Sequence, residues 1–216
     1  MHTKILLYRI FVFTLALGYF LYQFIQADYS AFGIQFRFLT IWALTANLIV
    51  AAHMVRLSLG WTSKRWDAFV SLAVVLSMSV VFNYWRLYLD DPANFYSDGE
   101  YIKWHQEYYL HVLGPLLLWF DAFCIQRVFR KFWGVLIAAL IFGVVYPVWI
   151  EFLVAPLNTL PAGDVTNGLP YDFLNNMTAD ARLIFYLMIS ALNVIFILIS
   201  FGLQWIINRK GWYVHD

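Results

Sequence analysis

YYLHVLGPLLLWFDAF, residues 108–123, is apolar along most of its length, yet it carries His111 near one end and Asp121 deeper in. A helix needs about 20 mostly apolar residues to cross a hydrocarbon core of roughly 30 Å, and with its flanks this stretch is long enough. Ionisable groups in such a segment are costly, and by default they mark a functional site or an internal pair. The stretch therefore sets two expectations. The chain is a membrane bundle, and His111 is where its chemistry sits.

Composition agrees with the first. Of 216 residues, 62% are hydrophobic, 20% aromatic and only 12% charged. A soluble domain is about 25% charged and 45–50% apolar, so this much apolar surface has no soluble core to hide in. The formal net charge of +1 and the lack of any basic cluster argue against a polyanion or nucleic-acid partner. Cys124 is the one cysteine, which excludes an internal disulfide.

Six segments are long and apolar enough to cross: 5–26, 38–58, 68–89, 108–126, 133–154 and 182–207. Their runs are continuously apolar, not alternating, which argues against a β-barrel. The first exceeds the roughly 7–15 residues of a signal-peptide core and reads as a retained helix. The expected fold is an all-α, six-helix transmembrane bundle forming one domain over 1–216. Lys4, Arg9, Lys64, Arg65, Arg127, Arg130, Lys131, Arg209 and Lys210 fall on one side if every segment crosses, so both termini are expected in the cytoplasm. Asp90, Asp91, Asp98, Glu100, Glu107, Asp164, Asp172 and Asp180 fall on the other. Without added targeting tails, a bacterial inner membrane is favoured over an endoplasmic reticulum or plasma membrane.

This topology places Thr40 about one turn into the second helix and His111 at a similar depth in the fourth, given a rise of about 1.5 Å per residue. Ser79, Asn83, Arg86 and Asp90 share one face of the third helix, and Thr40 and Asn47 one face of the second. Ser190, Asn193, Ser200 and Gln204 recur at helical spacing in the sixth. Cross-helix hydrogen bonding accounts for most such Ser and Asn residues. Arg86 fits either a pair with Asp90 or a bidentate clamp on a lipid carboxylate. Asn47, Asn83, Arg86 and Glu151 are the candidate substrate-binding residues. Asp121 lies too far along the helix to orient His111 directly, Glu151 is better placed by depth, and either acid fits a structural pair equally well. His53 reads as a structural hydrogen-bonder, and Trp42, Trp85, Trp104 and Trp149 as interfacial anchors. No CxxC, HExxH or His pair at i, i+4 signals a metal, no Gly-rich phosphate loop signals a nucleotide, and no cofactor is expected. There is no GxSxG. The long 155–181 connector is either an outer lid or an exposed loop.

RFLTIWALTANLI at 37–49, YYLHVLGPLLLWFD at 108–121 and LPYDFLNN at 169–176 resemble the androgen-induced-gene and androgen-dependent TFPI-regulating-protein family. That resemblance runs along nearly the whole chain in order and spacing. It implies a membrane hydrolase of fatty acid esters of hydroxy fatty acids, with an essential threonine at Thr40, in Arg37-Phe38-Leu39-Thr40, and an essential histidine at His111. The connector EFLVAPLNTLPAGD at 151–164 lacks the histidine-containing sequence of animal members.

A threonine hydroxyl needs an adjacent base to act as a nucleophile, and histidine, with a pKa near 6.5, takes up and returns a proton. The resulting expectation is an intramembrane lipid ester hydrolase with Thr40 as nucleophile and His111 as general base, its substrate entering sideways from the bilayer. The alternative is a non-catalytic lipid-binding or transport protein whose polar seam lines a pathway. A third reading is a structural or regulatory membrane protein.

Overall fold

The computed structural model describes residues 2–27, 29–90, 96–97, 100–101, 104–158 and 168–214. Six helices in it are long and apolar enough to cross a membrane: α1 His2–Ile25, α2 Leu39–Ser58, α3 Asp67–Asp90, α4 Trp104–Gln126, α5 Phe132–Leu157 and α6 Ala179–Lys210. Single turns at Ile34–Arg37 and Asp172–Asn175 and a two-residue antiparallel pairing of Tyr96–Ser97 with Glu100–Tyr101 complete the described backbone. The chain is thus helical and compatible with an integral, multi-pass membrane protein. Three expected acids, Asp91, Asp98 and Asp164, lie outside the described residues.

The helices begin and end within four residues of the sequence-based bounds. The largest difference is at α4, which starts at Trp104 and so takes His105, Gln106 and Glu107 out of the preceding connector. α6 starts three residues early because Thr178 caps it, its Oγ1 accepting from the Ala181 N–H at 3.3 Å. Gly211, at φ 68°, ends it in the left-handed conformation that favours glycine.

α3 is the hub of the bundle and touches α2, α4, α5 and α6. Its first half packs tightly: Val70, Ala73, Val74 and Val75 meet Val50, Leu118, Ala122 and Ile197. Small and β-branched residues let these helices approach closely, which is how membrane helices gain packing energy where lipid removes the hydrophobic drive. Large apolar side chains on α1, α5 and α6, including Phe11, Leu21, Ile137, Ile141, Leu183, Leu187 and Leu198, point outwards. They form the apolar perimeter that a bilayer requires.

Two helices are not uniform. α4 widens into π-helix at Tyr109–Leu113 and again at Asp121–Gln126, and α5 does so at Ile150–Val154. Each wide turn holds one histidine or acid of a largely apolar segment: His111, Asp121 or Glu151. Prolines explain two of the three. Pro115 has no N–H to give the His111 carbonyl, and Pro147 sits just before the Ile150–Val154 turn. The freed His111 carbonyl accepts instead from the Trp85 indole at 3.3 Å.

Asp121, the orphan acid of α4, acquires a partner. Asp121 accepts from Arg9 Nε at 2.7 Å and Nη2 at 3.0 Å, and both residues are buried. Arg9 Nη1 also reaches Ser58 Oγ at 2.8 Å. Arg9 is therefore a buried ion-pair partner, not the free juxtamembrane cation its position suggested. Trp42 and Trp149 are also more than anchors, since both indoles donate to the Phe36 carbonyl, at 2.7 and 3.0 Å. His53, expected as a hydrogen-bonder, is held by stacking on Trp66 at 4.1 Å.

Candidate active site

The second half of α3 faces a cavity of about 840 Å³, within the usual range of ligand sites. All six helices contribute to its walls. Thr40, from the first turn of α2, and His111, from the first wide turn of α4, both line it. These residues lie 71 positions apart in sequence, and the fold brings them to one chamber.

His111 is buried and fixed from two sides. Its Nε2 lies 3.4 Å from Glu107 Oε2, and its ring stacks on Tyr84 with centroids 3.7 Å apart and planes 9° from parallel. Tyr84 also hydrogen-bonds the Glu107 carboxylate. His111 Nδ1 is buried without a hydrogen-bond partner. A carboxylate on one imidazole nitrogen fixes the tautomer and leaves the other nitrogen as the base. No hydrogen bond joins Thr40 to His111 in this conformation.

Thr40 sits at the N-terminal end of α2, where backbone N–H groups lack intrahelical acceptors. Its neighbour Leu39 donates its N–H to the Tyr171 hydroxyl at 2.9 Å. Tyr171 arrives from the 155–181 connector, whose described part packs onto the bundle. Leu169 and Leu174 are buried, and Pro170, Tyr171, Phe173 and Leu174 line the cavity. Asn175 pins this segment, its Nδ2 donating to the Leu169 carbonyl at 3.0 Å and its Oδ1 accepting from the Leu169 N–H at 3.1 Å. Asn158 joins it to the α1–α2 connector, accepting from the Phe32 N–H at 2.5 Å and donating to the Gly168 carbonyl at 3.2 Å. The described part of the connector is a packed roof, not an exposed loop.

The four expected substrate-binding residues separate. Asn83 and Arg86 line the cavity. Asn83 Nδ2 is already engaged by the Ser79 carbonyl at 2.8 Å. Arg86 is exposed and makes no ion pair with Asp90 among the described residues. Asn47 faces a separate void of about 10 Å³ beneath Thr40, with room for about one water, and its Oδ1 is buried and unpartnered. Glu151 does not line the cavity. It accepts from Arg182 Nε at 2.7 Å, Arg182 Nη2 at 3.1 Å and the Tyr186 hydroxyl at 2.6 Å, which makes it a clasp between α5 and α6.

Three site residues escaped the sequence. Glu107 had a signal in its i, i+4 spacing to His111, but it fell before the expected start of the helix. Tyr84 reaches His111 by stacking across helices, which leaves no mark in spacing. Gln23 lies within the first apolar run and gave no sign of facing a chamber. No family model, no curated protein and no solved structure matches the chain.

Proposed function

We propose that the chain is an intramembrane lipid ester hydrolase in which Thr40 is the nucleophile and His111 the general base. The observation that carries this reading is the shared chamber: Thr40 and the Glu107-held His111 line one cavity at the bundle's α1–α2 and α5–α6 connector end. In the reaction, His111 Nδ1 takes the Thr40 hydroxyl proton as Oγ bonds to the ester carbonyl carbon. The same proton passes to the leaving alkoxide as the acyl C–O bond breaks. Water then attacks the acyl-threonine with His111 again as base, releasing a fatty acid and restoring the hydroxyl. The start of α2 suits the developing oxyanion because it carries the positive end of the helix dipole.

The three motifs that resemble the androgen-induced-gene family support the same two residues. The distribution of Lys and Arg supports cytoplasmic termini, which puts the chamber in the outer leaflet and lets a lipid enter from the bilayer. The missing Thr40–His111 hydrogen bond favours a second reading, a lipid-binding or transport protein without catalysis. A fluorophosphonate probe separates the two. Labelling of purified protein that disappears in Thr40→Ala and falls in His111→Ala supports the hydrolase, and labelling that persists in both ends it.

A further inference from the structure

Four buried polar atoms without partners line the same cavity: Gln23 Nε2, Ser79 Oγ, His111 Nδ1 and Asn193 Oδ1. Leaving a buried donor or acceptor unmade costs roughly 1–3 kcal/mol, so a cluster of them marks atoms awaiting a ligand or water. His111 is accounted for by the base role, and Ser79 and Asn193 lie deeper along α3 and α6. Gln23 is different. It is 6% exposed, and three more glutamines, Gln26, Gln35 and Gln106, line the chamber with it. They converge where α1 ends, the Ile34–Arg37 turn passes and α4 begins. Gln35 Nε2 donates to the Gln23 carbonyl at 3.0 Å, and Gln106 Nε2 to Gln23 Oε1 at 3.4 Å. This holds the Gln23 amide in place with its own N–H₂ group left over.

The rest of the chamber has the opposite character. Phe142, Tyr146, Phe173, Phe185 and Ile189 form an aromatic and aliphatic wall between α5, α6 and the roof. The chamber is thus amphipathic, with an amide end and an apolar end.

We propose that the glutamine end is a headgroup subsite for a neutral, polyhydroxylated alcohol, the vicinal-diol chemistry shared by glycerol and sugars, in an ester whose acyl chain lies along the aromatic wall. The proposal rests on the hydrolase reading for the orientation of the ester. Gln106 adjoins Glu107 and lies about one turn from His111, the group that protonates the departing alcohol, so the alcohol belongs at this end. Amides suit hydroxyls because each offers two donors and an acceptor and carries no charge. An anionic headgroup would need a cation in the enclosed part of the chamber. The one arginine among its lining residues, Arg86, is exposed.

The test uses the full chain purified in detergent and four esters of one acyl chain: a 1-monoacylglycerol, an acyl glucoside, the methyl ester and an acyloxy fatty acid with a free carboxylate. The expected result is a kcat/KM for the glycerol or glucose ester at least about tenfold above the methyl ester and the acyloxy acid. A site built to hydrogen-bond a hydroxyl discriminates strongly against an analogue lacking it. Gln23→Leu and Gln106→Leu should each erase most of that preference. Glycerol against glucose distinguishes the two sources. Equal or better turnover of the methyl ester or the acyloxy acid by the native chain overturns the proposal without needing a variant. Binding of a pyrene-labelled acyl chain carrying each headgroup gives a readout free of catalysis. Diol-selective, Gln23-dependent binding with no turnover of any ester keeps the subsite and rejects the hydrolase. Turnover and binding without headgroup preference keep the hydrolase and reject the subsite.

Discussion

Arg9 and Asp121, 112 positions apart, meet through two hydrogen bonds of 2.7 and 3.0 Å at the α1–α4 contact, where both are buried. Two charges in a low-dielectric setting tolerate each other only as a pair, and removing one strands the other. Asp121→Ala or Arg9→Ala should each destabilise the protein by about 3–5 kcal/mol. Arg9→Met with Asp121→Leu should recover most of that loss. Thermal unfolding in detergent checks both, and a double variant no more stable than the singles would show that the pair is not a closed unit.

Glu107→Gln keeps the shape of the carboxylate and removes its charge, so the imidazole loses the group that fixes its tautomer. Ester hydrolysis should fall by about 10²–10⁴, the usual share of general-base catalysis, with the melting temperature nearly unchanged. An unaltered kcat would exclude Glu107 from positioning His111.

Pro115→Ala supplies the N–H that α4 lacks one turn beyond His111. That N–H can close an ordinary helical bond to the His111 carbonyl, displace the Trp85 indole and remove the wide turn. Because proline within a helix costs about 3 kcal/mol, the variant should be as stable as the parent or more so, yet hydrolyse ester at least about tenfold more slowly. A variant equally active and equally stable would sever the link between Pro115 and the aim of His111.

Gly168 has φ +85°, and a Cβ there would lie 2.5 Å from the Ala155 carbonyl oxygen. Gly168→Ala therefore forces the roof away from α5 and costs about 1–3 kcal/mol in backbone strain alone. Faster proteolysis within 168–178, at unchanged secondary structure, is the expected signature.

What the sequence revealed follows the physics of each feature. Six helices long and apolar enough to cross a membrane were legible because hydrophobic length is local and strong. Thr40 and His111 were legible as a shared depth, since rise per residue converts position in a helix to position in a membrane. For Glu151, depth left a substrate-binding role and a structural pair equally open, because depth says nothing about azimuth; its wide turn directs it to Arg182 on α6. The Arg9–Asp121 pair was invisible because its two halves look, separately, like a topology signal and an orphan acid. Gln23 was passed over because an amide near a helix end is ordinary, and only the tertiary fold gives it a chamber.

A wide turn is one extra residue threaded into a helix, and the number of backbone bonds does not depend on where along the helix it rests. Sliding it by one residue exchanges one long bond for another while rotating the side chain it passes by about 100°. In α4 the slide is bounded on one side by Pro115, which has no N–H to give. Around His111 the helix is thereby a bearing with a stop. The stop sets the angle at which the imidazole meets the chamber, with Nε2 kept on Glu107, the ring on Tyr84 and Nδ1 left open.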